Sequence, residues 1–412
     1  MVPKRSWVDV PRGSPFPVQN LPYGVFRLAG DPAGAARIGV AIGEQVLDVG
    51  ALATADRLPA AGVLQEASLN PFLAEGRDQW RGVRAWLTDL LTREADRSRV
   101  EPHLVPAAAV ALLLPFEVAD YVDFYSSEHH AANVGRLFRP GQDPLSANWK
   151  HLPIGYHGRS GTVAVSGTPV LRPAGQRREG GGAAPVFGPS TRLDIEAEVG
   201  FVVGVPSARG EPVPVRRFAD HVFGVCLVND WSARDIQAWE YVPLGPFLGK
   251  SFLTSVSPWV VPLEALESAR VEPPRRDPEP LPYLRDEPGE PWGLDLALEV
   301  RLNGHVVSRP PFSAMYWTAA QQLAHMTVNG ASLRTGDLFA SGAVSGPEPD
   351  QRGSLLELSS GGATPIALPD GSMRSFLEDG DEVVISGSAP GAEEVRIGLG
   401  EVRGRVQATL PR

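Results

Sequence analysis

Leu227-Val228-Asn229-Asp230-Trp231-Ser232-Ala233-Arg234-Asp235-Ile236-Gln237-Ala238-Trp239-Glu240-Tyr241, running on to Lys250, is the segment around which the chain is organised. The apolar run from Val222 to Val228 stops at Asn229-Asp230, as a buried strand does where a helix begins. The next eleven residues contain no Gly or Pro, so one short helix fits them. On that helix Asp230, Arg234, Gln237 and Tyr241 fall at i, i+4, i+7 and i+11, a single face. Such a polar stripe is costly to bury unless it binds something. A solvated helix face accounts for the spacing equally well.

The totals narrow the class. With 412 residues the chain suits two or three domains, and 43% hydrophobic residues suffice for a packed core. Gly 44 and Pro 40 favour turn-rich β structure over helical bundles. A net charge of -10 argues against nucleic acid or an anionic membrane as a partner. The one cysteine, Cys226, lies in the apolar run and reads as a small core residue. It excludes an intrachain disulfide framework and a multi-thiolate metal site. Met1 to Trp7 is not followed by an apolar leader, and no run of roughly 18 apolar residues would span a membrane. These features predict a soluble cytoplasmic protein.

Residues 1 to about 22 are proline-rich and read as irregular. Val25–Leu28, Arg37–Ile42 and Gln45–Val49 read as short strands, with Gly43-Glu44 at a hairpin turn. Asn70-Pro71 resembles a helix start, and Val83, Trp86, Leu87, Leu90 and Leu91 keep helical spacing after it. Residues 1–115 thus read as a small β-rich domain with one amphipathic helix, and residues 116–412 as a second domain. In the second, Leu294, Leu296, Leu298, Val300 and Leu302 alternate with less apolar residues up to a tight Asn303-Gly304 turn. Ser313 to Val328 reads as a helix, Glu382–Ser386 as a strand, and Pro273 to Pro291 as a surface excursion.

Three clusters can carry chemistry. Glu196 and Glu198 are two apart and share a strand face, where they repel unless a cation lies between them. With Asp123 and Asp230 they suggest an oxygen-only site suited to Mg²⁺ or Ca²⁺. A solvent-facing edge strand is the bland alternative. In Asp120 to Gly135, Asp123 and His130 share a face if the segment is helical, and a histidine there can act as general base on water. Periodicity does not separate His129 from His130, and His151 and His157 read as loop contacts. Lys250, in Leu248 to Thr254, is placed to meet a developing oxyanion or to lie exposed on a loop.

Taken together, Asp120 to Gly135, His151 to Arg159, Asn229 to Ser251, Ser257 to Val260, Gly336 to Leu338 and Ser345 to Pro349 resemble the fumarylacetoacetate hydrolase family. The resemblance runs from about residue 22 to the C-terminus. It implies a mainly β, α+β fold: an N-terminal SH3-like barrel followed by a β-rich C-terminal domain, assembled as a homodimer. It implies hydrolysis of a carbon–carbon bond in 4-fumarylacetoacetate, the last step of tyrosine and phenylalanine catabolism. Position by position it implies a Mg²⁺ or Ca²⁺ site at Asp123, Glu196, Glu198 and Asp230, with Lys250 and Thr254 completing it. It implies His130 as base oriented by Glu357, with Arg234, Gln237 and Lys250 donating to the oxyanion. Tyr125, Arg139, Tyr156, Gln237 and Tyr241 match substrate contacts for a small diketo acid. Two positions depart from the family pattern: Ala343 replaces a threonine, and Leu253 replaces a glycine. They leave open hydrolysis of an acylpyruvate or hydration of a dienoate on the same scaffold, or a metal-binding protein without turnover.

Overall fold

The computed structural model describes residues 5–179 and 184–410, so the first four residues of the proline-rich N-terminus lie outside it. Residues 23–113 begin with the expected strands, Tyr23–Leu28, Arg37–Ile42 and Gln45–Asp48. Gly43, at φ 57°, turns the hairpin between the last two. Leu104–Pro106 adds beyond Gln45–Asp48, and Val110–Leu113 pairs with the free side of Tyr23–Leu28. The buried faces of these strands pack on the helix Arg77–Thr92 through Trp80, Val83, Leu87, Leu90 and Leu91.

The single amphipathic helix expected here is in fact several. Asp48 caps an unforeseen helix, Val49–Ala55, by accepting the Ala51 N–H at 3.0 Å. Asn70–Ala74 is a separate short helix, because Gly76 at φ 88° breaks the chain before Arg77.

The core of the remainder is the strand Val222–Asp230, buried along its whole length. Ala197–Val203 pairs with one edge, and Thr254–Val256 and Trp259–Pro262 with the other. Gly224 has no side chain because a Cβ there would stand 2.2 Å from the Val261 carbonyl oxygen. Outward from Ala197–Val203 come Leu338–Ala340, then Tyr121–Phe124 in parallel, then Gly155–His157. Trp259–Pro262 also pairs with Tyr23–Gly24, so one 13-stranded sheet runs from the N-terminal strands into the rest of the chain.

A second, five-stranded sheet contains Ala297–Leu302, His305–Ser308, Glu382–Pro390 and Arg396–Gln407. Leu294, Leu296, Leu298, Val300 and Leu302 are all buried, and Asn303 and Gly304 turn at φ 51° and 82°, as the alternation and the Asn-Gly pair predict. The helix expected over Ser313 to Val328 spans only Ala319–Thr327. Thr318 and Gln321 form a capping box that starts it, after a separate turn at Phe312–Ala314. The Pro273 to Pro291 excursion is pinned rather than loose. Arg276 donates to Asp286 at 2.8 Å and to Gln321 at 2.6 Å, and Leu284 is fully buried. The fold is mixed, dominated by strands. Among the described residues no helix is long and apolar enough to cross a membrane.

Candidate active site

Three strands, and the residue just before one of them, deliver the acids. Asp123 lies in Tyr121–Phe124, Glu198 in Ala197–Val203 with Glu196 just before it, and Asp230 ends Val222–Asp230. Neither Asp230 nor Asp123 is helical, contrary to the expected helix faces. Asp230 pairs with Thr254, which carries the strand through the apparent cap signal, and the helix begins only at Arg234. Likewise Asp123 is on a strand while His130 is on the helix Glu128–Phe138.

One oxygen from each of Asp123, Glu196, Glu198 and Asp230 lies within 4.8 Å of the others, and all four residues are buried. Glu196 and Glu198 therefore do not line a solvent face. Asp123 Oδ1 and Glu198 Oε1 accept no hydrogen bond. Burial, then the charge of Asp230, pushes the Asp123 carboxyl well above its ordinary range; burial, then Asp123, does the same to Glu198. Crowded, dry, partly unpaired carboxylates with no sulfur or nitrogen donor among them fit a hard divalent cation.

Lys250 is buried, not exposed on a loop. Its ammonium donates to Asp230 Oδ2 at 2.7 Å and to Glu196. Burial alone would lower its pKa, but Asp230 and Glu196 outweigh that and raise it, so the lysine is charged. Thr254 donates to Asp230 Oδ1 at 2.9 Å, and the Tyr156 hydroxyl donates to Asp230 Oδ2 at 3.2 Å.

The acids imply a pH dependence. In the metal-free native state Asp123 and Glu198 keep protons that the unfolded chain has already lost, so stability falls as pH rises through this window. A bound cation replaces those protons. The rise in Tm on adding Mg²⁺ to chelator-treated protein should therefore grow from pH about 5 to about 8. A constant increment across that range would count against the cluster as the binding site.

His130 is the buried member of the histidine pair. Ser127 caps its helix by accepting the His130 N–H at 3.1 Å. His130 Nδ1 lies 2.6 Å from Glu357 Oε2. That carboxylate also accepts Asn133 Nδ2 at 2.9 Å, Ser345 Oγ at 3.0 Å and Ser354 Oγ at 2.8 Å. Burial alone would raise the Glu357 pKa, but the charge and hydrogen bond of His130 prevail and hold it below its usual range. When the ring is neutral, an ionised Glu357 holds the proton on Nδ1 and the lone pair is on Nε2, 3.6 Å from Glu196 Oε1.

From the helix Arg234–Glu240, Arg234 reaches Glu196 Oε1 at 2.8 Å and donates to Gln237 Oε1 at 3.3 Å. These groups meet in a cleft of about 550 Å³. Every candidate side chain lines it except Glu198, Asp230, Thr254 and Glu357. Arg139 is at the exposed mouth, donating to the Pro144 carbonyl at 2.7 Å, and Tyr241 is half exposed. Tyr125 lies against the His130 ring, with ring centres 5.2 Å apart. Ala343 and Leu253 are buried and do not line the cleft; His151 and His157 are exposed and do not line it either. Sequence reasoning missed Asn133, Ser345 and Ser354 around Glu357. Asn133, one helical turn after His130, was open to discovery by spacing; the serines were not.

Fold and cleft define a class, a strand-rich hydrolase whose acidic cluster can hold a metal ion. The chain belongs to the fumarylacetoacetate hydrolase family: Fumarylacetoacetate (FAA) hydrolase C-terminal matches residues 120–407, and Fumarylacetoacetase N-terminal matches residues 19–115. It is 47% identical to the fumarylacetoacetase of Homo sapiens, over 98% of this chain and 99% of that one. Identity is 49% to the Caenorhabditis elegans fumarylacetoacetase, with 98% and 99% covered, and 44% to that of Arabidopsis thaliana, with 99% of each covered. Among solved structures, a fumarylacetoacetate hydrolase from Exiguobacterium antarcticum superposes with a TM-score of 0.55 at 17% identity, covering 94% of this chain and 99% of that one. A maleylpyruvate hydrolase from Sphingobium gives 0.51 at 15% identity, covering 94% and 100%. These two share the fold.

Proposed function

We propose that this chain hydrolyses 4-fumarylacetoacetate to fumarate and acetoacetate, closing tyrosine and phenylalanine catabolism. The observation that carries this reading is near-full-length identity of 44% to 49% with fumarylacetoacetases of a plant and a nematode. The cleft supplies the chemistry. His130, oriented by Glu357, takes a proton from water through Nε2. The hydroxide adds to the fumaroyl carbonyl carbon. Arg234, Gln237 and Lys250 donate to the resulting oxyanion. The carbon–carbon bond then breaks, its electron pair leaves with the acetoacetyl carbon, and that carbon takes up a proton. Arg139 and Tyr125 clamp a substrate carboxylate, with Tyr156 and Tyr241 along the chain. Asp123, Glu196, Glu198 and Asp230 would hold Mg²⁺ or Ca²⁺, with Lys250 and Thr254 completing its surroundings. When bound, the cation supplies Lewis-acid stabilisation of enolate charge.

In this reading residues 1–115 form an SH3-like domain and residues 116–412 the catalytic domain of a cytoplasmic homodimer. The test follows the ultraviolet absorbance of fumarylacetoacetate with Mg²⁺, then with a chelator. Chelator-sensitive loss, with fumarate and acetoacetate as products, is expected. No loss with folded, metal-loaded protein would overturn the assignment and direct attention to other diketo acids.

A further inference from the structure

Building on that reading of the site, we infer that Asp194 is a positioning residue that fixes Arg234 and Glu357 together from a single carboxylate. Asp194 is fully buried and does not line the cleft, so it touches no substrate. Its position follows from a short strand pair, Leu193–Asp194 against Ser232–Ala233, which ends where the Arg234 helix begins. Oδ2 accepts the Arg234 Nε–H at 2.8 Å and the Leu356 N–H at 3.1 Å. Oδ1 accepts the Leu355 N–H at 2.7 Å and the Ile195 N–H at 2.8 Å.

What those donors carry decides the meaning. With Nε held, the rest of the Arg234 guanidinium faces Glu196 and Gln237. Leu355 and Leu356 open the four-residue helix Leu355–Leu358, and Glu357 is the next residue along. Glu357 in turn holds His130 Nδ1 at 2.6 Å. One carboxylate thus sets the distance between the proposed oxyanion donor and the His–Glu pair, although the histidine and the glutamate are 227 residues apart. Only an acceptor with two oxygens suits a site ringed by four N–H donors. An amide, whichever way it is turned, would point its NH₂ at two of them and leave both buried and unpaired.

The test is Asp194→Asn in the full-length, Mg²⁺-loaded protein. kcat should fall by about 10- to 100-fold, as for supporting-shell changes elsewhere. KM should move by less than about threefold, because substrate contacts remain. The downfield His130 Nδ1 proton resonance, assigned by its loss in His130→Gln, should shift or broaden. Combined with Glu357→Gln, the change should add little further loss, since both act through one unit. A folded variant with wild-type kcat and an unmoved resonance would overturn the inference. So would a change in KM alone, or fully additive losses, each of which marks an ordinary structural contact. If Asp194→Asn does not fold, Asp194→Glu is read the same way: it keeps the charge and displaces the oxygens. Inactive wild-type protein would count against the substrate reading alone, and the His130 resonance then tests Asp194 without turnover.

Discussion

His130→Ala should lower kcat for fumarylacetoacetate by about 10²- to 10⁴-fold, the range for loss of a general base, while the protein stays folded and binds metal. The geometry separates these outcomes. His130 contributes no oxygen to the carboxylate cluster, and its Nε2 stands 3.6 Å from Glu196. Removing the ring deprives Glu357 of one partner, but Asn133, Ser345 and Ser354 still donate to it. The stability cost is therefore that of one buried charge-assisted hydrogen bond, roughly 1.5–3 kcal/mol. Steady-state kinetics, the Tm and Mg²⁺ titration on the same sample check all three. Wild-type-like turnover would remove His130 from the role of base, and lost metal binding would show that the ring supports the cluster.

The parts of the fold legible in the sequence were those with local periodicity. Alternation through Leu302 and the Asn303-Gly304 turn needed only neighbouring residues, and both stand in the structure. The stripe beginning at Asp230 failed at its first residue for a tertiary reason. Asn229 and Asp230 resemble a helix cap, yet Thr254 pairs with Asp230 and prolongs the strand, and Asn229 Oδ1 accepts the Glu196 N–H at 3.3 Å. Arg234 and Gln237 still share a helical face because the helix starts at Arg234. The same override separates Asp123 from His130, whose apparent common face is a strand followed by a capped helix.

Long-range partners leave no periodic trace. Glu357 was reached only through resemblance to a family. Asp194 stands two residues before Glu196, on the same alternation as Glu196 and Glu198, but that spacing does not reveal its partners Arg234, Leu355 and Leu356. A pattern can state that acids are close in sequence. It cannot state that strands 121–124, 197–203 and 222–230, joined through 338–340, align so that oxygens of Asp123, Glu196, Glu198 and Asp230 converge.

Lys250→Met should produce the other large effect, and its two halves have opposite signs. The ammonium is the cation that answers Asp230 and Glu196 in the metal-free protein. Methionine keeps most of the stem volume and removes the charge, leaving those carboxylates beside Asp123 and Glu198 with Arg234 as the remaining cation bonded to the cluster. Breaking a buried pair in this way costs about 3–5 kcal/mol, so chelator-treated variant should unfold at much lower temperature than chelator-treated wild type. Divalent cation binding, by contrast, should tighten, because a positive charge that repels the incoming ion is gone. The gap in Tm between loaded and metal-free protein therefore widens in the variant. Turnover should nevertheless fall by about 10²- to 10³-fold with metal saturating, the usual loss when one oxyanion donor is removed. Calorimetric titration with Mg²⁺ and kinetics at saturating Mg²⁺ separate the charge role from the catalytic one. Full turnover regained by excess metal would mean that Lys250 only holds the carboxylates apart. Weaker metal binding with unchanged metal-free stability would mean that its charge does not balance them at all.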